Sequence, residues 1–160
     1  MRLLIREYHP ADARAMGECV VALQEFERTM DPRLRRGEAM ADAYCEHVHA
    51  RCREADGRVF VAEQDGAVVG FVAILGRETF TELDDPPGTY ALITDLVVLS
   101  PYRRTGIGRQ LLERAEAFAM AAGARELRIG VLAQNVMAQR LYLSAQFAPH
   151  LEIFSKRWPA

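Results

Sequence analysis

The chain has 160 residues, half of them apolar and 26% charged, which is the composition of one ordinary globular domain spanning 1–160. Twenty Lys and Arg against 22 Asp and Glu leave a formal net charge of −2, so bulk electrostatics argues against a nucleic-acid or membrane partner, and any basic site must be local. No apolar run approaches the ~18 residues of a membrane helix, and the three cysteines Cys19, Cys45 and Cys52 cannot close a disulfide framework, so the expectation is a cytoplasmic chain with reduced thiols.

Leu3 to Arg6 predicts a short strand, and His9-Pro10-Ala11-Asp12 a turn whose proline suits the first turn of a helix. Ala13, Met16, Val20, Leu23 and Phe26 fall at helical spacing, with Asp31-Pro32 as the stop. A second helix follows Gly37, with Met40, Tyr44, Val48 and Cys52 on one stripe, and ends near Asp56-Gly57. From Val59 to Ala62 the period is that of a strand, Asp65-Gly66 is a hairpin turn, and Ala67 to Leu75 is the return strand. Glu78 to Gly88 is acidic and rich in turn residues, the pattern of an exposed loop. Tyr90 to Leu99 is apolar on both faces, as a central strand covered on both sides should be. A helix from Gly108 to Ala122 with Gly123 as its stop, a strand from Glu126 to Val131, a helix from Asn135 to Ala145 and a last strand from Leu151 to Arg157 complete the chain. The predicted order is β-α-α-β-β-β-α-β-α-β, one mixed α/β domain with a mostly antiparallel sheet flanked by helices.

Chemistry concentrates where the central strand ends. From Asp95 to Arg109 a buried strand feeds a short basic loop containing Gly106 and Gly108, and the loop becomes a helix. The first turn of a helix leaves backbone N–H groups unpartnered at the positive end of the dipole, which suits a phosphate. The two glycines let a ligand approach the backbone, and Arg103, Arg104 and Arg109 add cationic donors, so the expected ligand carries a pyrophosphate. The plainer alternative is a tight turn with solvated arginines. A Walker loop is excluded because no Lys-Ser or Lys-Thr follows the glycines, and the dinucleotide fingerprint lacks its third glycine.

Arg103-Arg104-Thr105-Gly106-Ile107-Gly108 resembles the Arg/Gln-x-x-Gly-x-Gly/Ala signature of the Gcn5-related N-acetyltransferase (GNAT) superfamily, placed as in that family between the fourth strand and third helix. Asn135 and Tyr142, two helical turns apart on one face, resemble the family's pair that contacts the thiol-bearing arm of the cofactor. The resemblance implies acetyl-coenzyme A (acetyl-CoA) as co-substrate, lying in a wedge between the fourth and fifth strands. Backbone groups of Leu96 and Val98 would pair with its pantetheine amides, and the loop holding Arg103, Arg104, Thr105, Gly106, Ile107, Gly108 and Arg109 would grip the pyrophosphate. It further implies direct attack of a primary amine on the thioester, an oxyanion supported by a backbone N–H near Val98, and Tyr142 as the acid for the departing thiolate. Tyr142 read without the resemblance is a core tyrosine, and Asn135 a helix N-cap.

The general base is less plain. The resemblance implies a glutamate on the fourth strand, as many members of the family carry, but this chain has Leu92 and Thr94 there, and the first acid available is Asp95. Alternation puts Asp95 with Ile93 and Val97, away from Leu96 and Val98, so the alternative is a structural carboxylate. Glu78, Glu82, Asp84 and Asp85 in the loop, and Glu25 and Glu27 on the first helix, would favour a cationic amine if they line the acceptor cleft. Cys45, His49 and Cys52 share a helical face but His47 lies about 200° from Cys45, so no metal site is expected. Nor is the Arg33, Arg35 and Arg36 cluster expected to contact nucleic acid. The expected activity is N-acetyl transfer to an amine of a small molecule or protein. The competing readings are an acyl-CoA sensor without transferase activity and, more remotely, a nucleotide-phosphate enzyme. The apolar stretch from Leu151 to Trp158 would allow a homodimer.

Overall fold

The computed structural model describes residues 1–159, in which nine regular elements follow one another. They are β1 (Leu3–Glu7), α1 (Ala13–Arg28), α2 (Ala41–Glu54), β2 (Arg58–Gln64), β3 (Ala67–Thr79), β4 (Thr89–Val98), α3 (Ile107–Ala121), β5 (Leu127–Ile129) and α4 (Val136–Ser144). The strands lie in sequence order in one sheet, with every neighbouring pair antiparallel except β4 and β5, which run parallel. The parallel step is made across α3, as such a crossover requires.

Each face of the sheet buries its own core. The apolar stripe of α1 and α2, Met16, Cys19, Val20, Val48 and Cys52, packs on Val59, Val61, Phe71, Ala73, Leu75 and Val97. On the other face Ile107, Leu111, Leu112, Ala115 and Ala119 of α3 pack on Phe60, Val69, Val72, Ile74 and Ile93, with Leu141 and Tyr142 of α4 at the margin. The Asp65-Gly66 turn forms as its residues require, both at positive φ (50° and 84°), with the Asp65 carboxylate accepting the Arg2 amide at 2.8 Å.

Three local expectations change. First, β3 runs past Leu75 to Thr79, so Glu78 belongs to a strand paired with Tyr90 and the acidic loop shortens to 80–88. The extension is held from outside the sheet: the Arg77 amide donates to the Ala55 carbonyl at 2.9 Å, and Arg51 reaches Glu78 at 3.6 Å. Second, no strand forms from Leu151 to Arg157, and residues 147–159 carry neither helix nor strand. Leu151, Ile153 and Trp158 are exposed, and Phe154 is 89% exposed. Strand propensity is realised only against an edge that accepts the backbone, and β5 offers three residues.

Third, β4 does not alternate uniformly. Ala73 pairs with Asp95 but its neighbour Ile74 pairs with Ile93, so Thr94 is an inserted residue, a β-bulge. The insertion reverses the facing pattern. Ile93 packs toward α3, whereas Val97 packs toward α1 and α2 and Asp95 hydrogen-bonds α2, so the grouping of Asp95 with Ile93 expected from strict alternation does not hold.

Candidate functional site

The bulge coincides with the point where β4 and β5 separate. Their pairing covers only Ala91, Leu92 and Ile93 opposite Leu127, Arg128 and Ile129, and beyond it the two chains part. The phase of the remaining β4 backbone is fixed by the Leu99 amide, which donates to the Val69 carbonyl at 2.9 Å. In an antiparallel ladder every second residue points its amide and carbonyl at the same neighbour. Leu99 and Val97 therefore face β3, and Leu96 and Val98 turn their backbone groups toward the open side. The structure thus places the two predicted strand residues along one edge of a wedge. The Val98 carbonyl there already accepts a hydrogen bond from Arg103 Nε at 2.8 Å.

The loop after β4 begins with a single turn at Ser100–Tyr102 and ends at Gly106, the N-cap of α3. Arg104 sits at φ 62° and Gly106 at φ 89°, left-handed values that curl the chain into the N-terminus of α3. Among the described residues, no protein acceptor takes the amides from Arg104 to Arg109. A Cβ on Gly106 would meet nothing, so this glycine is needed for its φ; one on Gly108 would touch Leu141 Cδ2 at 3.4 Å and Val98 Cγ2 at 3.8 Å. Free amides, the helix dipole and an open approach together make an anion cradle.

The three arginines have different roles in the structure. Arg103 turns inward, tying the end of β4 to α1 through the Val98 carbonyl and stacking 4.9 Å from the centre of the Phe26 ring. Arg109 reaches Glu113 at 3.2 Å and the Ser144 carbonyl and hydroxyl at 3.0 Å, joining α3 to the end of α4. Arg104 is exposed and makes no ion pair among the described residues. Thr105 donates its hydroxyl to the Tyr102 carbonyl at 2.6 Å and shapes the loop. Ile107 is buried in the core beneath it.

Asn135 caps α4, its side-chain oxygen accepting the Ala138 amide at 3.1 Å. Tyr142 is half-buried beside Phe147, with ring centres 6.1 Å apart. Its phenol is pushed up to about 12 by burial and, secondarily, by the Glu27 carboxylate. It holds its proton through the neutral range, as an acid must.

Asp95 is 4% exposed. One carboxylate oxygen accepts the Tyr44 hydroxyl at 2.7 Å and the other is buried without a partner. Burial raises its pKa, against the hydrogen bond from Tyr44 and the charges of Arg51 and His47. The other candidate acids separate clearly. Glu25 pairs with Arg28 at 3.3 Å and accepts the Gly37 amide at 2.7 Å. Asp85 accepts the amides of Thr81 and Glu82 within its own loop. Glu27 is half-buried at the last turn of α1 with no ion pair or hydrogen bond among the described residues, and burial and then Asp95 raise its pKa. The Cys45 to Cys52 segment is engaged elsewhere, His49 stacking 4.5 Å from Tyr8 and the Cys52 thiol facing the Ile74 carbonyl.

Sequence reasoning placed Tyr44 in an apolar stripe and missed its bond to Asp95. The usable signal is that a buried tyrosine hydroxyl needs a polar partner.

Residues 21–147 match the acetyltransferase (GNAT) family. An uncharacterized N-acetyltransferase of Archaeoglobus fulgidus is 35% identical over 99 residues, 58% of this chain and 60% of that protein. An N-alpha-acetyltransferase of Sulfurisphaera tokodaii is 33% identical over 98 residues, 59% of each. The matches thus span about three fifths of the length of these curated relatives. Among solved structures, an aminoglycoside N-acetyltransferase in complex with CoA superposes with a TM-score of 0.71 at 17% identity, covering 99% of this chain and 96% of that one. At that identity the likeness shows the shared fold.

Proposed function

The chain belongs to the acetyltransferase (GNAT) family, and from that premise we propose that it transfers an acetyl group from acetyl-CoA to a primary amine of a small molecule or protein by direct attack. One observation carries the reading: the unpaired backbone of Leu96 and the free amides from Arg104 to Arg109 lie along one continuous edge, strand amides first and anion cradle second. That order fits a ligand with an amide-bearing arm and a diphosphate. The CoA bound to the aminoglycoside N-acetyltransferase of the same fold supports it.

When bound, acetyl-CoA supplies an activated thioester. Leu96 and Val98 would hold its arm as an added strand is held, through backbone hydrogen bonds. The amides from Arg104 to Arg109, with Thr105, Gly106, Ile107 and Gly108 shaping the turn, would hold the diphosphate, and Arg104 would add the free cation. Arg103 and Arg109 would act from behind, fixing the strand end and the α3–α4 contact. The Val98 amide would stabilise negative charge on the carbonyl oxygen. Asn135 would fix the start of α4, and Tyr142 would deliver its phenolic proton to the departing thiolate. No metal enters this scheme.

Thiol release from acetyl-CoA across a panel of primary amines tests the reading, with Tyr142→Phe as the comparison. Equal turnover of the two proteins at every pH would remove the acid role. A second reading, an acyl-CoA sensor without transfer, is favoured by Leu92 and Thr94 standing where the family resemblance implies a glutamate. Cofactor binding without turnover on any amine would select it. We further infer a cytoplasmic setting, supported by the free thiols of Cys19, Cys45 and Cys52, and pairing of two copies, supported by the uncovered stretch from Leu151 to Trp158.

A further inference from the structure

We propose that Glu27 is the catalytic residue that docks the acceptor as its ammonium ion and takes the proton that must leave before attack; this rests on the acetyl-transfer reading above.

The acids neighbouring Glu27 in sequence are already satisfied. On α1 and its exit, Glu18 pairs with Arg14, Glu25 with Arg28, and Asp31 with Arg33. Glu27 alone among them has neither an ion pair nor a hydrogen bond, although it is half-buried. It stands at the C-terminal turn of α1, where the helix dipole disfavours a carboxylate. A position that costs electrostatic energy and returns no internal contact is what a cation-binding residue looks like before its ligand arrives.

A second observation points to the same place. Asp95, 4% exposed, leaves one carboxylate oxygen with no partner while Tyr44 holds the other. Asp95 raises the pKa of Glu27, and Glu27 raises those of Tyr44 and Tyr142, so these groups share one electrostatic neighbourhood. The titratable and charged groups around it are Glu25 and Arg28 on α1, Tyr44, His47 and Arg51 on α2, Asp95 on β4, Arg103 in the loop and Tyr142 on α4. Arg28 and Arg103 are held by Glu25 and by the Val98 carbonyl. Geometry places the last turn of α1 at the wedge: Phe26, the residue before Glu27, packs 4.9 Å from Arg103, which holds the Val98 carbonyl at the open edge of β4.

The chemistry balances with Glu27 and Tyr142. Glu27 takes one proton from R–NH3+, breaking N–H and forming O–H. The freed lone pair forms the C–N bond to the thioester carbonyl carbon. The C–S bond breaks with its electron pair going to sulfur, which takes the Tyr142 proton. The phenolate regains a proton from the second N–H of the attacking nitrogen, and Glu27 releases its own to water. The sum is an ammonium and a thioester giving an amide, a thiol and one proton.

The test uses the full chain with acetyl-CoA, a panel of primary alkylamines and pH from 5 to 10. Glu27→Gln should lower kcat/KM by about 100-fold or more, the usual contribution of a positioned base. It should also abolish the enzyme's acidic limb and leave acetyl-CoA affinity within about twofold. Glu46→Gln, exposed on α2, should match wild type. Independently of any variant, the Glu27 carboxyl followed by 13C NMR in the CoA-loaded protein should titrate at lower pH when a primary amine is added. A Glu27→Gln protein with the wild-type rate and profile, or a Glu27 signal indifferent to amine in a protein that turns amine over, overturns the proposal alone. A wild type that binds no acetyl-CoA or acetylates no amine overturns the transfer reading and this residue's role with it.

Discussion

Exchange of Asp95 for Asn, or of its partner Tyr44 for Phe, should change stability in opposite directions at neutral pH. Burial raises the folded-state pKa of Asp95 above its ordinary 3.8. Between that value and the folded one, the native protein keeps a proton that the unfolded chain has released. The contribution is therefore complete below 3.8 and is lost as pH rises through the folded pKa. Each unit of elevation is about 1.4 kcal/mol. Asp95→Asn keeps an oxygen for the Tyr44 hydroxyl but cannot ionise, so it should equal wild type near pH 4 and exceed it near pH 7. Tyr44→Phe removes a 2.7 Å bond to a carboxylate that is already missing a partner on its other oxygen. The loss should be about 1.5–3 kcal/mol where Asp95 is ionised and about 1 where it is neutral. Glu27, also raised, adds a slope of the same sign, while Asp12, lowered by Arg6, contributes stability above its ordinary pKa that is lost as pH falls. Asp12 acts alike in all three proteins, and the part of the Glu27 shift that Asp95 causes disappears with its charge, so the difference curves report Asp95 together with its coupling to Glu27. Urea midpoints from pH 4 to 8 at constant m value provide the measurement. Parallel profiles for wild type and Asp95→Asn would refute the reasoning.

Other outcomes are equally specific. Tyr142→Phe should lower kcat about 100-fold with acetyl-CoA affinity unchanged. Because the phenol is pushed up to about 12, the wild-type rate should show no loss of this acid up to pH 10, and a tyrosinate signal appearing near pH 10 in wild type and missing from Tyr142→Phe would contradict it. Arg104→Ala should weaken acetyl-CoA binding, read by calorimetry, without changing the melting temperature. Arg103→Ala should lower the melting temperature as well, since it removes the bond to Val98 and the stack on Phe26; equal stability of the two variants would deny Arg103 its structural role. Gly106→Ala forces an L residue to φ 89°. It should cost about 1–2 kcal/mol and weaken acetyl-CoA binding by re-aiming the loop amides, and unchanged stability with unchanged affinity would show that the left-handed turn is dispensable.

Much of this was legible in the residues because it is local. The Asp65-Gly66 hairpin, the α1 and α2 stripes, the glycine loop opening α3 and the Asn135 cap each depend on a few neighbours in sequence, and each forms where its pattern lies. What escaped is set by distant partners. The end of β3 depends on Arg51 and Ala55, more than twenty residues upstream. The stretch from Leu151 to Arg157 has strand-forming residues, but the sheet edge at β5 is only three residues long. Arg103, Arg104 and Arg109 are alike in composition, and only the placement of the Val98 carbonyl, Phe26, Glu113 and Ser144 decides which of them is free.

The inserted Thr94 shows how one such non-local fact shapes the whole site. With strict alternation, Ile93, Asp95 and Val97 would share a face. The extra residue sends Ile93 to the α3 core and leaves Asp95 facing Tyr44. β4 also stops pairing with β5 at Ile93, so the backbone beyond the bulge has β3 on one side and the wedge on the other. A bulge bends its strand and increases local twist, which turns the last four residues of β4 away from a parallel neighbour that is only three residues long. The same insertion thus opens the edge where Leu96 and Val98 could take an extended amide chain and buries the carboxylate that acts on Glu27. Deleting Thr94 should therefore remove the bend while keeping both flanks in register, Ile93 opposite Ile74 and Asp95 opposite Ala73, so the core faces are retained and the edge beside β5 closes. The expected result is a folded chain that has lost acetyl-CoA binding. A folded deletion variant that still binds acetyl-CoA would show that the separation of β4 from β5 does not originate in the bulge.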